Sequence, residues 1–324
     1  MIQNQWYAVL PSKKVPKGRL VAVRRLNLDL VLFRDEKGEL GCVVDQCPHR
    51  GVALSHGKLK GNCVQCPFHG LEFDGKGQCR LVPAIGRATK TDLGRYNVKS
   101  CAVREANGIV YLWNGEASTA TDGPLPWFAD FVDDSYSMSE IEDPWNTHYS
   151  RAIENQLDVV HLPFVHHNTI GRGNRTLVHG PKVVFEDGRI VTSANNEVDV
   201  GQEIRPEAEC TINSTYLMFR FPNVWMNHIS DKIKVAVYFA PVDDENTILY
   251  LRFYGKATGL RPLNAFMAWT GKYANRVIER QDKRVVVTQK PKASEYRSGE
   301  KLVPGDRPIV VYRKLRDEKK GAKA

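Results

Sequence analysis

The chain has 324 residues, with 46 basic against 37 acidic side chains and 42% hydrophobic residues. This composition excludes a disordered or fibrous protein, and the length is enough for one large or two ordinary domains with a substantial core. The opening Met1-Ile2-Gln3-Asn4-Gln5-Trp6 has no basic stretch leading into an apolar one, and no apolar run approaches the roughly 20 residues needed to span a bilayer, so a soluble, cytoplasmic protein is expected.

From residue 1 to about 115 the pattern predicts short strands at Leu20 to Val23, Leu30 to Phe33, Gly41 to Val44, Leu71 to Phe73 and Ile109 to Trp113. Turns at Asp35-Glu36-Lys37-Gly38, Asp74-Gly75-Lys76-Gly77 and Asn107-Gly108 separate them, which describes a small all-β domain. Residues 1–115 hold 18 basic and 9 acidic side chains, so the whole excess of +9 lies there. Such a field could steer an acidic protein, a nucleic acid or an acidic metabolite toward that region, or be a merely solvated surface. Six of the seven cysteines, Cys42, Cys47, Cys63, Cys66, Cys79 and Cys101, fall in the same stretch, with Cys210 alone beyond it. An odd count without a secretory signal points to metal ligands and buried thiols rather than disulfides.

Within this domain Cys47-Pro48-His49 is followed, sixteen residues later, by Cys66-Pro67-Phe68-His69. Each half offers one thiolate and one imidazole from a tight loop, and Pro48 and Pro67 restrict the local backbone. Two cysteines and two histidines hold either a tetrahedral zinc ion or a Rieske 2Fe-2S cluster. A zinc finger pairs Cys with Cys and His with His, whereas each half here carries one of each, which favours the cluster. Cys63, although it forms a C-x2-C pair with Cys66, reads like Cys42, Cys79 and Cys101 as a small buried hydrophobe, and His56 is assigned no role.

Asn114 to Pro126, rich in Gly, Ala, Ser and Thr, reads as a linker, giving domains 1–115 and 116–324. The second domain is expected to be α+β. Arg151 to His161 has helical spacing. Lys232 to Phe239 alternates, with Ile233, Val235, Val237 and Phe239 on one face, and returns through Asp243-Asp244-Glu245-Asn246 to Leu249, Leu251 and Phe253 as a hairpin with one buried face. A long helix is expected from Pro262 toward Gln289, stopped by Pro291, and Lys314 to Ala324 reads as a frayed basic end.

The run from Glu154 to His167 carries the second chemical signal. On a helix Asp158 and His161 share a face, and Asn155 lies one turn earlier on that side. His161 and His166 point apart on an ideal helix, so a kink is expected at Pro163. Two histidines and an aspartate among Leu157, Val160, Leu162, Phe164 and Val165 are costly to bury unless they bind something. A 2-His-1-carboxylate iron site would need one more acid. Asp282, with Ile278 before it and Val285 and Val286 after it, lies on the apolar stripe of the long helix, whereas Glu279 looks like an exposed pair with Lys283. His167 is the alternative ligand if the register is off by one.

The C-x-H and C-x2-H pairs, with Arg50-Gly51 after the first and Gly70 after the second, resemble the Rieske motif of ring-hydroxylating oxygenases. Leu71 stands where members of that family usually carry tryptophan. Asn155, Asp158, His161 and His166 resemble the family's N-x2-D-x2-H-x4-H iron motif, and together these features resemble a Rieske non-haem iron oxygenase catalytic subunit over essentially the whole chain. The resemblance implies an N-terminal Rieske domain, a C-terminal helix-grip catalytic domain and a homotrimer. It assigns Cys47, His49, Cys66 and His69 to the 2Fe-2S cluster and His161, His166 and Asp282 to a mononuclear Fe(II). It makes Asp158 the electron bridge to His69 of a neighbouring subunit. Dioxygen is then the co-substrate, and two electrons come from NAD(P)H through a separate ferredoxin or flavin/2Fe-2S reductase, since no G-x-G-x-x-G fingerprint is present. The short chain resembles the monooxygenase and O- or N-demethylase branch. A cis-dihydroxylating dioxygenase and a pure Rieske electron carrier are the alternatives. Phe219, Phe221, Trp225, Met226, Asn227 and His228 are candidates for a pocket that takes a small aromatic or alicyclic substrate.

Overall fold

The computed structural model describes residues 1–256 and 259–321. It contains two compact units, one from Gln3 to Leu125 and one from Pro126 onward. The boundary thus falls beyond the expected residue 115. The reason is polar: Trp6 Nε1 donates to the Thr121 carbonyl (3.0 Å), Trp113 Nε1 to Thr119 Oγ1 (3.1 Å) and Arg104 to the Gly123 carbonyl (2.6 Å). The Gly- and Thr-rich stretch is a strap tied to the first unit by backbone carbonyls, which composition does not reveal.

The first unit is all β, in three small antiparallel sheets. One joins β1 (Trp6–Pro11), β10 (Ile109–Trp113) and β9 (Val103–Ala106) in the order β1-β10-β9. A second joins β2 (Val21–Arg25), β3 (Leu28–Arg34) and β4 (Leu40–Val44); Leu26 and Asn27, both at positive φ, make the two-residue turn between β2 and β3. The third is built from β5 (Lys58–Lys60), β6 (Cys63–Gln65), β7 (Glu72–Asp74) and β8 (Cys79–Leu81). Val31, Phe33, Val43, Leu54, Val64 and Phe73 form a core into which Cys47 and Cys66 also project. Cys42, Cys79 and Cys101 are buried, in keeping with their apolar reading, and Cys63 is half-buried.

The second unit is α+β. Its seven-stranded antiparallel sheet runs β11 (Ser137–Trp145), β19 (Thr247–Gly255), β18 (Ile233–Pro241), β17 (Val224–Ser230), β16 (Tyr216–Arg220), β14 (Arg189–Ser193), β13 (Val183–Glu186). A separate pair joins β12 (Leu177–His179) to β15 (Asn195–Glu197). Pairing aligns Ser139, Phe253, Val235, Asn227 and Leu217 in one row across the sheet. The Ser139 hydroxyl donates to the Ala268 carbonyl of the long helix α3 (Arg261–Val286), so this row lies on the face that α3 covers. The expected hairpin of Ile233–Pro241 and Thr247–Gly255 is present, but both of its faces are buried. On the second face Tyr238 and Tyr250 stack with centroids 4.9 Å apart, and Arg252 spreads over the Trp127 ring. The segment entering the second unit therefore shields a face that alternation alone assigns to solvent.

Two helical expectations also need correction. The helix expected to reach His161 is α1 (Tyr149–Leu157), followed by a short α2 (Leu162–Val165). The expected frayed tail is instead the ordered helix α4 (Arg307–Gly321), with Ile309, Tyr312, Arg313 and Arg316 buried; Ala322, Lys323 and Ala324 lie outside the described residues. Its buried arginines are its anchors. Arg313 binds both Glu154 oxygens of α1 (2.7 and 2.9 Å), Arg151 reaches the same carboxylate at 3.1 Å, and Arg316 donates to the Ser294 carbonyl (2.6 Å). Glu154→Gln should therefore cost about 3 kcal/mol of stability, because it removes the charge shared by two buried guanidinium groups. A fall in the urea midpoint of the second unit's unfolding checks this. Among the described residues no helix is long and apolar enough to cross a membrane.

Candidate metal centres

The two cysteine–histidine loops of the first unit repeat one backbone design. The Cys47 N–H donates to the Val52 carbonyl and the Gly51 N–H to the Cys47 carbonyl, both at 2.8 Å; Cys66 pairs with Leu71 (2.8 Å) and Gly70 with Cys66 (3.2 Å) in the same way. Gly51 and Gly70 close these turns with φ near +75° and +74°, a conformation in which a side chain is strained. Each loop therefore buries its cysteine and leaves its histidine at an exposed tip. The His49 and His69 rings stand 4.6 Å apart, and Phe68 lies against His69 with Arg50 above it.

The donor set is the one a Rieske-type 2Fe-2S cluster requires, two thiolates inside and two imidazoles toward the surface. Burial, with the adjacent Cys66 thiol adding to it, pushes the Cys47 thiol up to about 11. A thiolate at Cys47 is favoured beside positive charge, which iron would supply.

In the second unit the break after α1 has a local cause. Asp158 caps α1, and its Oδ1 accepts from the Val160 N–H (2.6 Å) and the His161 N–H (3.4 Å), taking donors that would otherwise continue the helix. The break thus precedes Pro163. That residue sits in the first turn of α2, where its missing N–H costs nothing, so it does not act as a kink. His161 stands just before α2 and His166 just after it, and the turn brings their Nε2 atoms to 3.3 Å. Asp282, from α3, places Oδ1 3.4 Å from His161 Nε2 and 2.9 Å from His166 Nε2. One donor atom from each of the three residues lies within 4.8 Å of the others.

His166 Nδ1 is 2.9 Å from Gln281 Oε1, an acceptor, so the proton belongs on Nδ1 and the Nε2 lone pair faces Asp282. His161 Nδ1 lies 3.3 Å from Asp158 Oδ2 without a hydrogen bond to it. Asp282 Oδ1 is buried without a hydrogen bond. Burial alone would disfavour a charged His161, yet the Asp158 and Asp282 carboxylates hold its pKa up to about 9, a measure of how strongly the site attracts positive charge. Two imidazoles and one carboxylate on a single side fit a divalent iron with open positions opposite them.

The other candidates are dispersed. His167 is exposed, with Nδ1 against the Phe164 carbonyl (3.1 Å), and does not join the cluster. Glu279 is not the exposed partner of Lys283; that lysine bonds Asp143 (2.8 Å) on β11, while Glu279 is buried with neither carboxyl oxygen hydrogen-bonded. Burial, then the nearby Asp143 and Asp282, hold its pKa well above the usual carboxylate range. Asn155 and Asp158 line a cavity of about 150 Å³ together with Arg151, Glu154 and Arg313, and Asn155 Nδ2 has no hydrogen-bond partner.

Trp225 and Asn227 lie on the sheet face that α3 covers, with Trp225 Nε1 and Asn227 Oδ1 buried and unpartnered. His228 and Met226 point to the opposite face, where His228 stacks on Tyr216; Phe221 stacks on Tyr312 of α4, whose ring also meets Phe219 of the α3-covered face. Sequence reasoning missed Gln281. Its amide holds His166 Nδ1, accepts from Thr169 Oγ1 (2.9 Å) and donates to Asn168 Oδ1 (2.7 Å), fixing the ring orientation. Its position beside Asp282 was the only available signal.

Two family descriptions match the chain: Rieske [2Fe-2S] domain over residues 5–101 and Vanillate O-demethylase oxygenase C-terminal domain over residues 145–320. The chain is 35% identical over 172 residues to chlorophyllide a oxygenase, chloroplastic, of Chlamydomonas reinhardtii, covering 53% of this chain and 26% of that protein. It is also 35% identical over 168 residues to the oxygenase component of dicamba O-demethylase of Stenotrophomonas maltophilia, covering 51% and 48%. These matches span about half or less of either relative's length. The structure of a Pseudomonas putida CBB5 NdmA mutant with theobromine superposes with a TM-score of 0.81 over 98% of this chain and 91% of that one, at 23% identity, a likeness of fold.

Proposed function

The chain belongs to the Rieske oxygenases with the vanillate O-demethylase type of C-terminal domain, and we propose that it uses dioxygen and two electrons to hydroxylate, or to O- or N-demethylate, a small aromatic or alicyclic molecule. The observation that carries this reading is the convergence of His161, His166 and Asp282 in a chain that also holds paired cysteine–histidine loops.

Cys47, Cys66, His49 and His69 would hold the cluster, and His161, His166 and Asp282 the mononuclear iron. When bound, these groups supply one-electron storage and a Lewis-acidic position open to dioxygen. Burial of Cys47 and Cys66 shields the thiolates from water, while exposure of His49 and His69 leaves a short path for electrons to leave the loops. Gln281 keeps the His166 proton on Nδ1, so that ligand presents a lone pair at Nε2, and the Asp158 carboxylate beside His161 Nδ1 would favour the proton on that nitrogen when iron takes Nε2. Trp225 Nε1 offers a donor and Asn227 Oδ1 an acceptor to a substrate on the α3-covered face, with Phe219 as an apolar wall.

The partner that fits the +9 charge of residues 1–115 is an acidic ferredoxin, or a flavin/2Fe-2S reductase, passing on electrons from NAD(P)H. The reading includes a homotrimer in which Asp158 of one copy receives electrons from His69 of the next. The test supplies NADH and such a reductase with a panel of methoxyarenes. One dioxygen, two electrons and two protons per ether should give one phenol, one formaldehyde and one water. A cluster that is reduced and reoxidised with no product from any member, and no cis-diol from unsubstituted rings, would contradict it.

A further inference from the structure

The long helix α3 carries its large apolar side chains on the outside. The residues it buries are Asn264, Ala268, Glu279, Asp282 and Val286, small or polar apart from the last. Leu263, Phe266, Trp269, Tyr273 and Val277 are instead 47 to 59% exposed. Spacings of three and four residues set them on one line along the helix. The rings touch along that line, Phe266 stacked on Trp269 with centroids 6.0 Å apart and Trp269 edge-on to Tyr273 at 5.1 Å. The same line continues through Arg280 and Arg284, with Arg276 beside it, all three exposed. Glu279 and Asp282 are the acids of α3 and both are buried, so its outer face carries cations alone. Among the described residues none of the three arginines has an ion-pair partner, whereas Lys283, between them in sequence, is taken by Asp143 (2.8 Å).

A contiguous exposed apolar stripe marks a contact surface. Its occupant must be apolar against the first half of α3 and anionic against the second. An anionic bilayer is both, and it meets a convex helical ridge without a shaped groove: the acyl boundary takes aromatic and aliphatic side chains, and lipid phosphates accept from guanidinium groups. A second copy of the chain fits less well, because its first unit carries the whole +9 and the remainder offers no acidic surplus. We infer that the outer face of α3 docks the protein on an anionic lipid surface, with Leu263, Phe266, Trp269 and Tyr273 in the boundary between headgroups and acyl chains and Arg276, Arg280 and Arg284 on lipid phosphates. A helix docked in this way lies on the membrane and does not cross it. The inference rests on exposed side chains and stands whether or not Asp282, on the inner side of the same helix, holds iron.

Trp269 reports the docking without any substitution, because the other five tryptophans are at most 6% exposed. With vesicles of equal parts phosphatidylcholine and phosphatidylglycerol, the full chain should co-sediment, its tryptophan emission should move to shorter wavelength, and brominated acyl chains should quench it. Vesicles of phosphatidylcholine alone should bind it at least about tenfold less well, as should two variants tested on the mixed vesicles, the triple Arg276→Gln, Arg280→Gln, Arg284→Gln and the double Phe266→Ser, Trp269→Ser. Removing three exposed cations of the first unit, by Lys37→Gln, Lys76→Gln and Lys90→Gln, should weaken binding far less. Absence of binding to the mixed vesicles, tryptophan emission unmoved on binding, or an arginine variant that binds as the parent does would each overturn the inference. So would a lipid-free oligomer that the Phe266 and Trp269 double variant turns into monomer, which makes this face a contact between copies, or an acidic ferredoxin held through these arginines when vesicles are not.

Discussion

Replacing His166 by alanine should lower product formation by more than about a hundredfold while leaving the visible spectrum of the cluster intact. Loss of groups that merely orient metal ligands already costs about 10–100-fold in metal affinity or activity, and a ligand is worth more. His166 meets Asp282 at 2.9 Å and His161 at 3.3 Å, so its removal opens one side of the triad, and iron should fall by about one per chain. Gln281→Leu, which frees the His166 ring but keeps all three ligands, should weaken iron retention by about tenfold and recover with added ferrous iron. Iron and sulfide assays beside product formation check both variants. An alanine variant that keeps its iron and its rate would remove His166 from the site.

The second large effect is expected at Asp158. Its two oxygens have separate contacts: Oδ1 accepts from the backbone after α1, and Oδ2 faces His161 Nδ1 at 3.3 Å. Asparagine keeps the side-chain oxygen that accepts from the following backbone N–H groups, so Asp158→Asn should change stability by less than about 0.5 kcal/mol, since Asn and Asp form such turns alike. The same substitution removes the charge beside His161 and, in the proposed trimer, the bridge from His69 of the neighbouring copy. Cluster reoxidation in the presence of substrate and dioxygen should slow by more than about tenfold, with both metals retained; the loss of a hydrogen bond to a charged group sets that scale. Stopped-flow absorbance of the reduced protein measures it. A purely structural Asp158 would instead lose stability and leave reoxidation unchanged.

What could be read from sequence depended on how local each determinant is. Each cysteine–histidine pair lies within one turn of chain, so its ligand chemistry is visible without the fold, and the positive φ of Gly51 and Gly70 follows from the same local design. His161 and His166 were legible for the same reason. The device that joins them was misplaced, because an Asp158 side chain competing for backbone donors leaves no periodic signature, whereas Pro163 does. Asp282 was found by its cost, as an acid on an apolar stripe. The same logic failed for Glu279: the i,i+4 rule assumes an exposed pair, and in the fold Lys283 turns to Asp143 on β11 instead. Arg316 was read as part of a frayed end because its partner, the Ser294 carbonyl, is distant in sequence. Register explains the pocket candidates. Trp225 and Asn227 share the α3-covered face, while His228 belongs to the other, a division that a continuous apolar run conceals.

The central claim is that this chain carries both a two-iron cluster and a separate mononuclear iron. It is tested most directly by measuring iron, zinc and acid-labile sulfide per chain on protein purified anaerobically and supplied with ferrous iron. The account predicts about three irons and two sulfides, with one iron removed by a mild chelator and restored by ferrous iron. Two irons and two sulfides that ferrous iron does not change, or zinc without sulfide, would contradict it.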